Sequence, residues 1–241
     1  MRRRLLPAAS LALAALLALP GAALALAGQV THLSGAVLAQ RADGQSRILS
    51  LRSEVREGDL VITADNAYAR IRWTDGGDVV LRPASQLRIE AFRYEEGRPA
   101  ADNVLLSLLK GGMRAVTGLL ARRNPASFRL ATPSATIGIR GTHFGALVCN
   151  DDCGAIVTPS GRPPANGTHV DVADGAISVT TRVATLVVKA GEFGFASSLN
   201  EPPVPSPAPL RVALPPQASN VTIQGGTVGA AGDLECRIAA Q

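Results

Sequence analysis

Aromatic side chains are scarce in this chain: one Trp, two Tyr and five Phe among 241 residues. A sugar-binding surface relies on flat aromatic faces with a polar edge. Here Trp73, Tyr68 and Tyr94 are nearly all that is available, and Tyr68 and Trp73 fall in one strand pattern on opposite faces. A cell-wall or carbohydrate-binding domain is therefore the second reading, not the first. Lysine is rarer still, with only Lys110 and Lys189 among 24 basic residues. Nucleic-acid binding needs cations gathered on one face. Beyond Arg2–Arg4 the only basic doublet is Arg122-Arg123, so the formal charge of +5 does not point to nucleic acid.

Cysteine is limited to Cys149, Cys153 and Cys236, and no second Cys pair or H-x3-H accompanies them, which argues against zinc. The loop Cys149-Asn-Asp-Asp-Cys153 instead suits a short disulfide in an oxidising compartment, leaving Cys236 without an assigned partner. Three polar residues are too few for calcium, which takes six to eight oxygens. No cofactor or metal is expected.

Enzyme signatures are also thin. Ser107-Leu-Leu-Lys110 has the S-x-x-K spacing of acyl-transfer enzymes but lacks the S-D-N and K-T-G companions, and it sits in a strand pattern. Ser134, His143 and Asp151 form a triad only on paper: there is no G-x-S-x-G elbow, and Ser134 follows a proline at a strand entrance. The doublets Glu95-Glu96 and Asp151-Asp152 read as solvated turn tips, not as acids poised across a cleft. An exported hydrolase ranks third, and the expectation is a protein that is not an enzyme.

The N-terminus has the layout of an export signal. Arg2–Arg4 precede a Leu/Ala run from Leu11 to Leu19, Pro20-Gly21 breaks it, and Ala25-Leu26-Ala27 offers small residues for cleavage after Ala27. The apolar run approaches the ~20 residues that span a bilayer, but the break and the small residues predict cleavage and no stable membrane insertion afterwards. The expected location is the periplasm.

From Gly28 to Leu199 strands alternate with turns. Ala67–Trp73 alternates as a half-buried strand does, and Asp75-Gly76-Gly77-Asp78 reads as a hairpin turn. Val79–Arg82 and Gln86–Phe92 follow, split by Pro83. Val170-Asp171-Val172 and Ile177–Thr180 read as two strands joined at Asp174-Gly175, with Thr185–Val188 after them. Val104–Leu120 is ambiguous. Gly111-Gly112 would cost about 1 kcal/mol each inside a helix, so two short strands around a turn are expected, with a helical turn near Thr117–Arg122. Turn signals every 8 to 12 residues predict an all-β, mostly antiparallel domain: a sandwich, a jelly roll or a short β-solenoid. After Asn200 the run Glu201–Pro209 and then Pro215-Pro216 predict an extended linker or tail. The boundaries are thus 1–27 for the signal, 28–199 for the β domain and 200–241 for a Pro/Gly-rich tail.

The order of motifs within that domain resembles the FecR family. Gly58-Asp59-x-x-x-Thr63, Ala69-x-Ile71-x-Trp73-x-Asp75-Gly76 and Leu81-x-Pro83-x-Ser85-x-Leu87 come first. Gly111-Gly112-Met113-Arg114, Thr132-Pro133-x-Ala135-Thr136-x-Gly138-Ile139-Arg140-Gly141-Thr142-x-Phe144, Val172-x-Asp174-Gly175-x-Ile177-x-Val179 and Ala190-Gly191-Glu192 complete the series. The resemblance covers roughly Gly28 to Phe195. It implies an all-β, periplasmic, non-catalytic module whose partners are envelope proteins. The founding member relays iron-siderophore status from an outer-membrane receptor to a cytoplasmic sigma factor. Only the signal run precedes the domain here, so a stand-alone exported version without the cytoplasmic anti-sigma segment is expected.

The segment Thr136–Thr142 concentrates the candidate residues. Gly138 and Gly141 suggest a bend or a close backbone approach, with Thr142 completing the structural motif. Arg140 is expected to brace a neighbouring loop through a carboxylate or carbonyls. Alternatively, Arg140 and His143 face a ligand or partner.

Overall fold

The computed structural model describes residues 25–206 together with Leu210 and Val212. The expected signal run, Pro215-Pro216 and the segment 221–241 with Cys236 lie outside the described residues.

Alternating apolar residues build a chain of strands linked into one sheet. In order these are β1 (Leu26–Ser34), β2 (Val37–Gln40), β3 (Ser46–Ile48), β4 (Glu54–Arg56), β5 (Leu60–Thr63), β6 (Tyr68–Trp73), β7 (Asp78–Leu81) and β8 (Gln86–Arg93). They continue as β9 (Asn103–Val116), β10 (Phe128–Ala131), β11 (Thr136–Cys149), β12 (Gly167–Thr180), β13 (Thr185–Lys189), β14 (Phe193–Ala196) and β15 (Val204–Pro205). One short helix, α1 (Leu119–Arg123), and two 3-10 turns, Pro99–Ala101 and Pro125–Ser127, interrupt them. Among the described residues no helix is long and apolar enough to cross a membrane.

Three strands, β9, β11 and β12, are each 14 residues long and change neighbours midway. The first half of β9 pairs with β8 and, in parallel, with β10; its second half pairs with β7 and β11. β12 pairs with β14 up to Asp171 and with β13 from Ala176. The sheet is thereby divided into two halves, β3-β2-β5-β8-β9-β10-β11-β12-β13 and β4-β1-β6-β7-β9-β11-β12-β14-β15. Every other pairing along these orders is antiparallel. Both halves turn their apolar faces to one core: Val61, Leu87, Ile89 and Leu106 from the first meet Val30, Ile71, Val79 and Phe144 from the second.

The glycines at the changeovers work differently from the expected turns. Gly111 does not separate two strands; it sits inside β9 at φ 71°, where the strand bends from one half of the sheet into the other. Ser85 fixes the bend: its Oγ accepts from the Gly112 N–H at 2.9 Å and donates to the Gly112 carbonyl at 3.0 Å. Asp174-Gly175 likewise lies within continuous β12, with Gly175 at φ 77° packed on the Gly141 carbonyl. The hairpin at Asp75–Asp78 forms as expected: Gly76 is at φ 83° and the Trp73 N–H donates to Gly77. The helical turn is α1, and the Asp75 carbonyl receives the Leu119 N–H at its start.

The ends of the domain are also used. β1 begins at Leu26, and Ala27, the residue expected to end the signal, is fully buried with its carbonyl taken by the Thr74 N–H. Beyond Asn200, of the two expectations of a linker or a tail lying on the domain, Val204–Pro205 follows the second and adds to the sheet beside β14.

A Cβ at Gly111 would press on the Ala84 carbonyl at 2.6 Å and on Ser85, in a backbone region that L side chains rarely adopt. Gly111→Ala should therefore lower the unfolding free energy by about 1–3 kcal/mol, read as a lower urea midpoint. Gly44→Ala, at φ 84° with nothing within 4 Å, should lose less.

Candidate functional site

The site grows from the period of two along β11. Phe144, Ala146 and Val148 point into the main core. His143, Gly145, Leu147 and Cys149 therefore share the opposite face. That face is not left to solvent: Leu147, Cys149, Cys153, Leu210 and Val212 form a second, separate apolar cluster. The Cys149–Cys153 disulfide is present, with Cα atoms 5.4 Å apart, and it pins the loop that leaves β11 beside this cluster.

Neighbouring strands bring charge to the same face. Arg114 of β9 pairs across from Gly145 of β11, which in turn pairs across from Asp171 of β12. Gly145 has no side chain to separate them, and Arg114 Nη2 donates directly to Asp171 Oδ2. The Asp171 carboxylate is nearly inaccessible and Arg114 largely so, at 5 % and 11 % side-chain exposure. A buried carboxylate is costly without a partner, and this one has two. Its Oδ1 accepts the Val212 N–H at 2.9 Å, while Arg114 Nε donates to the Val212 carbonyl at 3.1 Å. Arg114 and Asp171 thus hold both backbone groups of a residue 41 positions beyond Asp171.

His143 completes the cluster, its Nε2 lying 3.3 Å from Arg114 Nη1. Burial, assisted by the Arg114 charge, holds its imidazole below the ordinary histidine range; Asp171 and Asp174 oppose the shift. Gly141, at φ 58°, carries the bulge just before His143. The bulge leaves Thr142 facing inward, where its N–H donates to Thr117 Oγ1 at 2.9 Å and its carbonyl accepts the Thr117 N–H. Gly138 is needed for space instead of for φ: a Cβ there would lie 2.7 Å from Ser178 Oγ.

Arg140 departs from the bracing role. Its side chain is exposed and has no hydrogen bond or ion pair among the described residues. At that point of β11 the alternation turns residue 140 outward, while Ile139 is buried. The bracing is done by Arg114, which the sequence offered only as the last letter of Gly-Gly-Met-Arg. Asp171, between two valines in a strand, carried a signal that was not taken up: a carboxylate in such a strand calls for a partner across the sheet. The remaining catalytic-looking residues are engaged elsewhere. Ser134 Oγ bonds to Thr168 Oγ1 at 2.6 Å, Asp151 accepts from Asn166, and Lys110 reaches Asp152 at 3.6 Å. Among the described residues no cluster of three His, Cys, Asp or Glu side chains is placed to hold a metal ion.

A folded-state histidine pKa below the unfolded value means that the unfolded chain binds the proton more readily. The stability His143 confers is then fully present above the ordinary value of about 6.5 and is lost as pH falls below it through the lower folded-state pKa. His169, lowered in the same direction by burial, adds to the trend. His143→Gln should flatten part of the fall in urea midpoint between pH 7 and pH 5; an unchanged slope would remove His143 from the balance.

Residues 59–178 match the family model described as FecR protein. Two crystal structures of a candidate anti-sigma factor from Parabacteroides distasonis align at 15 % and 14 % identity, each with a TM-score of 0.45. They cover 61 % of this chain, which spans 58 % of each of them. A cell surface anchoring domain aligns at 34 % identity over 26 % of this chain and 82 % of its own, with a TM-score of 0.25. The search of curated proteins found no match. The matched residues run from Asp59, the buried carboxylate held by Arg47, through Arg114, Arg140 and Asp171 to Ser178 in β12. The chain carries a FecR-family domain over residues 59–178.

Proposed function

We propose that this protein is a non-catalytic, periplasmic protein-interaction module acting in envelope signalling or assembly. The observation that carries the reading is the placement of Arg140. Within the FecR match it stands exposed beside the Gly141 bulge and outside the ion pairs of the described residues, which leaves it free for a partner. Ser134, Asp151 and Lys110 are held in internal contacts, which favours recognition over reaction. The N-terminal basic, apolar and small-residue pattern supports export.

Recognition also has an exposed strand to use. β13 is hydrogen-bonded to β12 and carries Val187 at 55 % exposure, the kind of edge to which an extended partner segment can add. A carbohydrate surface is disfavoured. Trp73 is buried and stacks on Phe92 at 5.2 Å, Tyr68 is buried, and the Tyr94 ring lies under the Arg123 guanidinium at 4.6 Å.

Because Arg140 holds nothing among the described residues, Arg140→Ala should leave the urea midpoint within about 0.5 kcal/mol of the parent. Crosslinking in the native periplasm should capture one defined envelope protein with the parent chain, and capture should drop sharply with Arg140→Ala. Equal capture by the two chains would contradict the role given to Arg140. Capture of no protein by the parent would contradict the function.

A further inference from the structure

The face of β9, β11 and β12 around Arg114 and Asp171 has the features of a peptide-binding site, and a peptide already occupies it. Val212 is fully buried there and Leu210 nearly so, although Val212 lies 98 residues beyond Arg114 in sequence. The contacts to Val212 are of two kinds. Its N–H and carbonyl are both taken, by Asp171 Oδ1 and Arg114 Nε, and these are contacts to backbone groups that every residue but proline carries. Its side chain enters the space left by Gly145, where an added Cβ would stand 2.7 Å from Val212 Cβ. Leu210 packs into the cluster formed by Leu147 and the Cys149–Cys153 disulfide. Backbone capture combined with side-chain pockets for alternate residues is how extended segments are recognised.

We propose that this face is a recognition groove for an extended segment of a partner protein, with two apolar residues two positions apart, and that Leu210 and Val212 fill it in cis as a built-in competitor. The inference rests on the reading of the domain as a protein-interaction module for the existence of the partner. It names a site other than Arg140, and the assay below addresses the groove alone. In sequence, Leu210 and Val212 follow a run rich in proline, Pro202 to Pro209. A segment that presents the same two side chains and the same backbone groups can replace Leu210 and Val212. A cis competitor acts through its effective concentration, in the mM range for short flexible links, and lowers the apparent affinity for any outside segment.

The test uses the full chain and a fluorescein-labelled peptide spanning residues 206–216. In Val212→Asp the tail should leave the groove, because the new carboxylate would be buried beside Asp171 without a partner. The peptide should bind this variant about tenfold or more tighter than the parent chain. Adding Gly145→Ala, or using a peptide with Asp at the Val212 position, should abolish the gain. Should Val212→Asp fail to fold, as judged by its urea transition, Leu210→Ser with Val212→Ser replaces it. Binding to neither chain, or equally to both, would overturn the groove. A parent chain that sediments as a dimer and becomes monomeric with Val212→Asp would overturn the partner, because the occupant would then be the tail of a second copy. If crosslinking captures a protein but the peptide does not bind, the groove fails and the interaction module stands. If the peptide binds and nothing is captured, the groove stands and the wider function falls.

Discussion

The structure depends on one constraint: β9, β11 and β12 each belong to both halves of the sheet. A strand that serves two sets of neighbours must bend where the neighbours change, and its backbone groups must stay paired through the bend. Glycine meets the first demand, at Gly111 in β9, Gly141 in β11 and Gly175 in β12, all with positive φ. Local hydroxyl contacts meet the second. Ser85 holds both backbone groups of Gly112, and Thr117 holds those of Thr142. The same bends let the two apolar faces close on a single core, and they set the outer face of β11 where Gly145 leaves a gap. The groove is a consequence of how the sandwich closes.

Charge is handled with equal economy. Four buried aspartates each meet an arginine: Asp59 with Arg47, Asp78 with Arg70, Asp102 with Arg123 and Asp171 with Arg114. In the first three the guanidinium spreads two nitrogens over the two carboxylate oxygens. Lysine, a point charge, cannot reproduce that fork. Asp171 differs. Only one of its oxygens goes to Arg114, and the other reaches the backbone of Val212. That departure marks the pair as a clamp for chain from elsewhere, while the other three pairs hold the fold.

Much of the fold was legible in the sequence, and the errors share a cause. Strand positions, the Asp75–Asp78 hairpin and the antiparallel all-β class follow from alternation and turn chemistry, which are local. A local pattern gives positive φ no use except a turn between short strands, so the sequence alone places turns at Gly111 and Gly175. Their role as bends inside long strands is set by pairings with β7, β8, β13 and β14 that no short window contains. The site divides the same way. The segment around Arg140 and His143 stood out by composition, and His143 does sit in the charged cluster. Arg140 points away from it because the Gly141 bulge intervenes. Arg114, Asp171 and Val212 meet only through tertiary structure, across separations of 57, 98 and 41 residues.

The central claim is that the three shared strands make the two halves of the sheet one cooperative unit, with the groove on its outer face. Native-state hydrogen exchange resolved along β9, β11 and β12 tests it most directly. The account predicts that amides in both halves of each strand, such as Leu106 and Ala115 in β9 or Ile137 and Ala146 in β11, exchange through a single global opening. They should then share one free energy and one denaturant dependence. If one half of these strands opened at markedly lower free energy while the other stayed protected, the halves would be separate units, and the account would be wrong.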